Sequence, residues 1–167
     1  MTNRLKTLLL LLLLLIPLSV SAQENEPRVT EHQDWRSVCI DTPQGERCQA
    51  QQSLNMENEQ GSSRLLLASV LQNGENAPRI LELLLPLGLD VSSGIVMQID
   101  DGEEMRVPFA TCLEQGCYAI LPLEDNLMKN MRSGSVIRIG FRPFNARQTH
   151  AVEVSLMGFT AATNAVK

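Results

Sequence analysis

Cys112 and Cys117 stand five positions apart in the stretch Phe109 to Pro122, F-A-T-C-L-E-Q-G-C-Y-A-I-L-P. This stretch limits the possible folds more than any other. Gly116 supplies a turn residue, and Tyr118 to Leu121 leave it as an apolar run. The spacing fits a β-hairpin closed by a disulfide. Opposed residues of an antiparallel pair lie about 4.5–5.5 Å apart, and a disulfide spans Cα separations of about 4.4–6.8 Å. A second pair, Cys39 and Cys48, flanks Thr42-Pro43-Gln44-Gly45, with Pro and Gly where a type I turn favours them. Four cysteines allow three pairings, and the hairpin geometry favours Cys39–Cys48 with Cys112–Cys117. A zinc site wants ligands two to four residues apart within each pair, and a thioredoxin-like site wants C-x-x-C opening a helix. Structural bridges are the better reading, each contributing roughly 2–3 kcal/mol in the chain-entropy model. Such bridges persist in oxidising compartments.

The N-terminus agrees with that compartment. Arg4 and Lys6 precede the apolar run Leu8 to Leu18, and Val20-Ser21-Ala22 has the small-x-small pattern of a signal peptidase site. The run is too short for the roughly 20 residues that cross a bilayer. The reading is therefore a signal peptide over 1–22, with no transmembrane segment after cleavage and no following cysteine to carry a lipid. The chain's net charge is −5, and loss of Arg4 and Lys6 would take it to −7. That balance argues against nucleic acid, whose recognition wants a basic face.

Residues 23–33 are polar and read as a flexible leader. A single disulfide-stapled domain is expected over 34–162, with a frayed tail at 163–167. Within it, Asp34 to Ile40 with Glu46 to Gln52, and the hairpin around Cys112 and Cys117, are the bridged ribbons. Leu54 to Ser63 is read as a loop. Arg64 to Leu71 and Arg79 to Leu85 are apolar on both parities, as in strands packed centrally. Ile95 to Ile99 and Glu104 to Phe109 follow, the latter with Met105, Val107 and Phe109 on one face. Leu123, Leu127 and Met131 recur at helical spacing, so Glu124 to Arg132 is the one internal helix, ended by Ser133-Gly134. Val136 to Arg142 and His150 to Leu156 close the set as paired strands. The fold class is all-β, mainly an antiparallel β-sandwich with one short helix. A partly open β-barrel is the alternative.

Chemistry is sparse. His32 lies in the leader, and His150 starts a strand without a nucleophile-elbow motif. The run Asp100-Asp101-Gly102-Glu103-Glu104 lacks the calcium-loop spacing and reads as a solvated hairpin tip. No cofactor or metal site is expected. Arg138, Arg142 and Arg147 could form a small patch for an anionic partner. Trp35 is expected to anchor the core over the Cys39–Cys48 bridge.

Four ordered blocks carry a resemblance. They are W-R-S-V-C from Trp35 with a second cysteine nine positions on, L-P-L-G-L-D-V-S-S-G-I-V-M-Q-I-D, C-L-E-Q-G-C-Y-A, and S-L-M-G-F-T-A-A. Together they resemble the invasion-associated locus B family of Gram-negative envelope proteins, from Trp35 to Ala162. The resemblance implies a periplasmic or secreted β-sandwich, associated in some pathogens with host-cell invasion, and implies no enzyme. By it, Cys39, Cys48, Cys112 and Cys117 match the family's cysteines. Gly88, Gly94, Asp100, Gly116 and Gly158 match its glycine and aspartate positions. The function expected is a non-enzymatic binding module for an envelope or host protein, glycan or lipid. A periplasmic hydrolase or redox helper is the alternative.

Overall fold

A computed structural model describes residues 26–58, 61–74 and 76–166, so the expected signal peptide over 1–22 lies outside the described residues. Two antiparallel sheets face each other. The larger has the order β1-β2-β3-β4-β5-β9-β8 and the smaller β11-β10-β6-β7. The strands are β1 (Arg28–His32), β2 (Trp35–Thr42), β3 (Gly45–Asn58), β4 (Gly61–Gln72), β5 (Arg79–Leu85), β6 (Ile95–Ile99), β7 (Met105–Val107), β8 (Phe109–Leu113), β9 (Gly116–Pro122), β10 (Val136–Phe141) and β11 (His150–Ser155). Two helices accompany them, α1 (Asp125–Ser133) and α2 (Phe159–Thr163). The larger sheet ends on β1 and β8 without closing on itself, which is the sandwich and not the barrel.

Alternation builds the core. Leu66, Ala68 and Val70 of β4 and Leu81, Leu83 and Leu85 of β5 point inward, and Ile137, Ile139 and Phe141 of β10 meet them from the other sheet. β4 and β5 lie fourth and fifth of seven in the larger sheet, so their apolar second face belongs to a central position. The two sheets are also joined by polar groups. Buried Gln52 donates its amide to the Asp34 and Ser155 carbonyls at 3.0 and 3.1 Å and accepts from the Ser155 N–H at 2.9 Å. The Trp35 indole N–H donates to the same Ser155 carbonyl at 2.6 Å. With both its donor and its acceptor groups paired inside the protein, the buried glutamine is left without an unsatisfied polar group, which makes its burial tolerable.

Five expectations need correction. The leader is not loose throughout, because 28–32 form edge strand β1, paired to β2 in the register Arg28↔Cys39 to His32↔Trp35. Its side chains are mostly exposed, so no apolar alternation marked it. Residues 54–63 are not a loop: β3 and β4 continue as a ribbon through Asn58↔Gly61, past a bulge at Leu54/Asn55. A ribbon wet on both faces keeps its backbone ladder without an apolar pattern. Phe109 does not continue β7; the chain leaves the small sheet at Pro108 and enters β8 of the large one. Residues 163–166 of the tail do not fray, since α2 ends at Thr163 and Thr163 and Val166 are fully buried. Among the described residues its helix is the second, where one internal helix was expected. Trp35 is fully buried in the core, as expected, and its ring partner is Phe159 of α2, edge-on at 5.1 Å between centroids, an arrangement that contributes about 0.5–1.5 kcal/mol beyond burial.

Gly158 makes that last contact possible. It has φ +86°, and a Cβ there would fall 1.6 Å from the His32 carbonyl oxygen. Only a glycine lets α2 turn onto β1, and the Arg79 guanidinium then holds the end of the chain by donating to the Val166 carbonyl at 2.9 Å.

Candidate functional site

Both cysteine pairs are oxidised in the favoured pairing. Cys39–Cys48 and Cys112–Cys117 each join directly opposed strand residues with Cα atoms 4.0 Å apart. Cys39, Cys48 and the Glu46 carboxylate come close enough to suggest a metal group, but both sulfurs are committed to the bridge and no thiolate remains to bind. Cys117 and Cys48 are buried, and a Cβ on Gly116 would fall 2.1 Å from the Leu85 carbonyl. The second hairpin is thus pressed directly against β5.

The three arginines take separate roles. Arg142, just after β10, is bound by the Asp90 carboxylate and by the Ser93 hydroxyl. Asp90 also accepts from the Ser92 N–H and from the Ser92 and Ser93 hydroxyls. These donors, Ser92 first, then Arg142 and Ser93, hold the Asp90 carboxyl well below the usual carboxylate range. Arg138, in β10, donates to the Gln98 side chain at 3.0 Å and pairs with Glu153 at 3.4 Å. Arg147 is exposed in the β10–β11 loop. Two of the three charges are therefore engaged within the fold. The histidines are also placed: His32 meets the Ser37 hydroxyl at 3.1 Å, and His150 is exposed with its ring stacked near Phe141.

A sizeable concavity lies elsewhere. A cleft of about 790 Å³ opens between α1, the end of β9 and the β6–β7 turn. Its volume lies in the range of small-ligand sites, about 300–1,000 Å³. Ile99, Met105, Leu121 and Leu127 give it an apolar floor, and Asp100, Glu103 and Glu124 stand along its sides. Asn126 and Asn130, four residues apart on α1, add amides on one helix face. Among the described residues no lysine or arginine lines it. The arrangement offers contact area to an apolar group and acceptors to a cation.

Asp100 builds one wall of this cleft. It has φ +47°, and its carboxylate accepts from the Ser135 N–H (3.1 Å) and the Val136 N–H (3.0 Å). The acidic run is therefore only partly a solvated tip, because its first member is a structural acceptor. Sequence reasoning missed the cleft: Glu124, Asn126 and Asn130 are an ordinary polar helix face until the β6–β7 turn is laid beside them. The helical spacing of Leu123, Leu127 and Met131 was the available signal, since Met131 is buried while Leu127 is left half-exposed at the cleft.

The comparisons with known proteins agree with this architecture. A family model described as "Invasion associated locus B (IalB) protein" matches residues 35–167. Invasion protein B homologs of Brucella abortus strain 2308 and of Brucella abortus biovar 1 strain 9-941 are each 30% identical over 136 residues, covering 81% of this chain and 77% of the relative. The crystal structure of invasion associated protein b from Bartonella henselae superposes with a TM-score of 0.68 at 21% identity, over 82% of this chain and 92% of that one, a likeness of fold. With the family model spanning all of the sandwich from Trp35 onward, the chain belongs to the invasion associated locus B family.

Proposed function

We propose that the protein is an exported, non-enzymatic binding module of the cell envelope, periplasmic or secreted, whose ligand site is the cleft beside α1. The observation that carries this reading is the cleft itself, with an apolar floor, carboxylates along its sides and, among the described residues, no lining cation. Its ligand is then an amphipathic cation, such as a peptide segment carrying a lysine or arginine beside an apolar side chain. Two local disulfides support export, because such bonds are stable outside the reducing cytosol. Among the described residues no helix is long and apolar enough to cross a membrane. The relatives' names attach invasion to them, and a role at a host-cell contact belongs to the same proposal.

Calorimetric titration with short cationic apolar peptides tests the site. Saturable binding that falls in Glu103→Gln/Glu124→Gln supports it, and binding indifferent to that change removes the cleft from the reading. N-terminal sequencing of the periplasmic fraction tests export, with Gln23 expected as the first residue. Thiol titration without reductant tests the redox alternative, which a readily exchanging pair would favour.

A further inference from the structure

We infer that the end of the sandwich holding Asp90 and Arg142 is a contact surface for an anionic lipid bilayer. This surface is separate from the cleft and stands without it. Of the four phenylalanines, Phe141 and Phe159 are buried and Phe109 is half-buried, whereas Phe144 is 67% exposed. Leu87, Leu113 and Val91 are exposed by 56%, 54% and 50%. All four lie at this end. Phe144 donates its N–H to the Gly88 carbonyl at 2.8 Å, next to Leu87, and Asp90, next to Val91, donates to the Arg142 carbonyl at 2.8 Å. Leu87 shares a shallow depression with Glu114 and Gln115, the tip of the bridged hairpin that carries Leu113.

Four arginines at this end, Arg64, Arg106, Arg142 and Arg147, stand against Asp90, Glu114 and, on the ribbon that runs on past Arg64, Glu57. Arg142 is offset by Asp90, and Glu114 lines the same depression as Arg64. Arg106 reaches the Ser93 carbonyl at 2.7 Å, and Arg147 follows Phe144 by three residues. Neither forms an ion pair among the described residues. The opposite end carries Asp100, Asp101, Glu103, Glu104, Glu124 and Asp125 against Lys129 and Arg132 of α1, so a negative surface would draw the arginine-rich apolar end inward and repel the other. Apolar side chains flanked by arginines suit the headgroup layer, where an apolar surface enters and cations meet lipid phosphates. A protein partner would need relief matched to three separate connections, while a bilayer conforms to them. The two backbone hydrogen bonds and the Asp90–Arg142 pair fix the turns beforehand, so little ordering is lost on contact.

Co-sedimentation with vesicles tests this, using the disulfide-intact exported protein. Vesicles contain phosphatidylglycerol with phosphatidylcholine, or phosphatidylcholine alone, at low and high salt. Binding is expected only with phosphatidylglycerol and at low salt. It should weaken about fivefold in Arg147→Gln and at least about tenfold in Leu87→Ser/Phe144→Ser, with melting temperatures unchanged. Glu103→Gln/Glu104→Gln, at the far end, should bind at least as well as the parent. No binding, equal binding to phosphatidylcholine alone, or variants that bind like the parent would overturn the inference. So would self-association abolished by Phe144→Ser, which would assign the surface to a second copy of the chain.

Discussion

The two ends of the β6–β10 pair are clamped by an aspartate each, and the clamps use different chemistry. Asp90 precedes β6 and donates its N–H to the Arg142 carbonyl after β10; Asp100 follows β6 and donates its N–H to the Val136 carbonyl at the start of β10. Each side chain then reaches back across the same gap. At the Asp90 end the donors are a guanidinium, two hydroxyls and one N–H, whereas at the Asp100 end they are the two neutral N–H groups of Ser135 and Val136. A charged clamp responds to pH, salt and side-chain identity. A clamp on backbone donors needs only an acceptor oxygen and a residue that accepts positive φ.

The largest break in this comparison should come from the glycines beside the clamps. Gly94 has φ +63°, and a Cβ there would meet the Val107 carbonyl at 2.6 Å. Gly134 has φ −82°, and a Cβ there would meet chiefly the ends of the Asp100 and Ile99 side chains, at 2.9 Å each, with the Asn130 carbonyl at 3.0 Å. Gly94→Ala should therefore cost roughly 2–4 kcal/mol in denaturant unfolding, and Gly134→Ala about 1 kcal/mol, since alanine also restricts the unfolded chain. Equal losses would show that backbone handedness does not set the difference.

Next come the aspartates themselves. Asp100→Ala strips the acceptor from two N–H groups and should lose about 1–3 kcal/mol. Asp100→Asn keeps an oxygen and tolerates positive φ, so most of that loss should be recovered. Asp90→Asn should recover less of what Asp90→Ala loses, because Arg142 is left without its counter-charge. If asparagine rescues both positions alike, the division into charged and neutral clamps fails.

Acid sharpens the same contrast. The folded-state carboxyl of Asp90 is held below its unfolded value of about 3.9. The unfolded chain therefore takes up the proton first as pH falls, and the Asp90 contribution is present above about pH 4 and lost progressively below it. The melting-temperature gap between the parent and Asp90→Asn should be widest near neutral pH and shrink below pH 4. Added salt should narrow it too. A gap constant from pH 7 to pH 3 would assign the clamp to packing and not charge.

The smallest effect is expected at the open middle of the sheet. Arg138 and Glu153 form their pair across β10 and β11 with side chains 42% and 61% exposed. Glu153→Gln should shift stability by at most about 0.5 kcal/mol, against a plainly measurable loss in Arg142→Gln.

The sequence by itself determined the ribbons and their staples. Cysteines nine and five positions apart around turn residues can meet without any distant partner, so both disulfides follow from local geometry. Period-two and period-four spacing likewise marked β10, β11 and α1, because one buried face leaves a regular trace. Only the tertiary structure decided where polar residues go. β1 and the ribbon through Asn58 have no buried stripe to announce them, and α2 holds its place through Gly158 on β1 and Phe159 on Trp35. Asp90, Asp100, Arg142 and Gln52 look like ordinary surface residues in the sequence. Each has a partner between 35 and 103 positions away, and a hydrogen bond, unlike a hydrophobic face, leaves no period by which either end can be found.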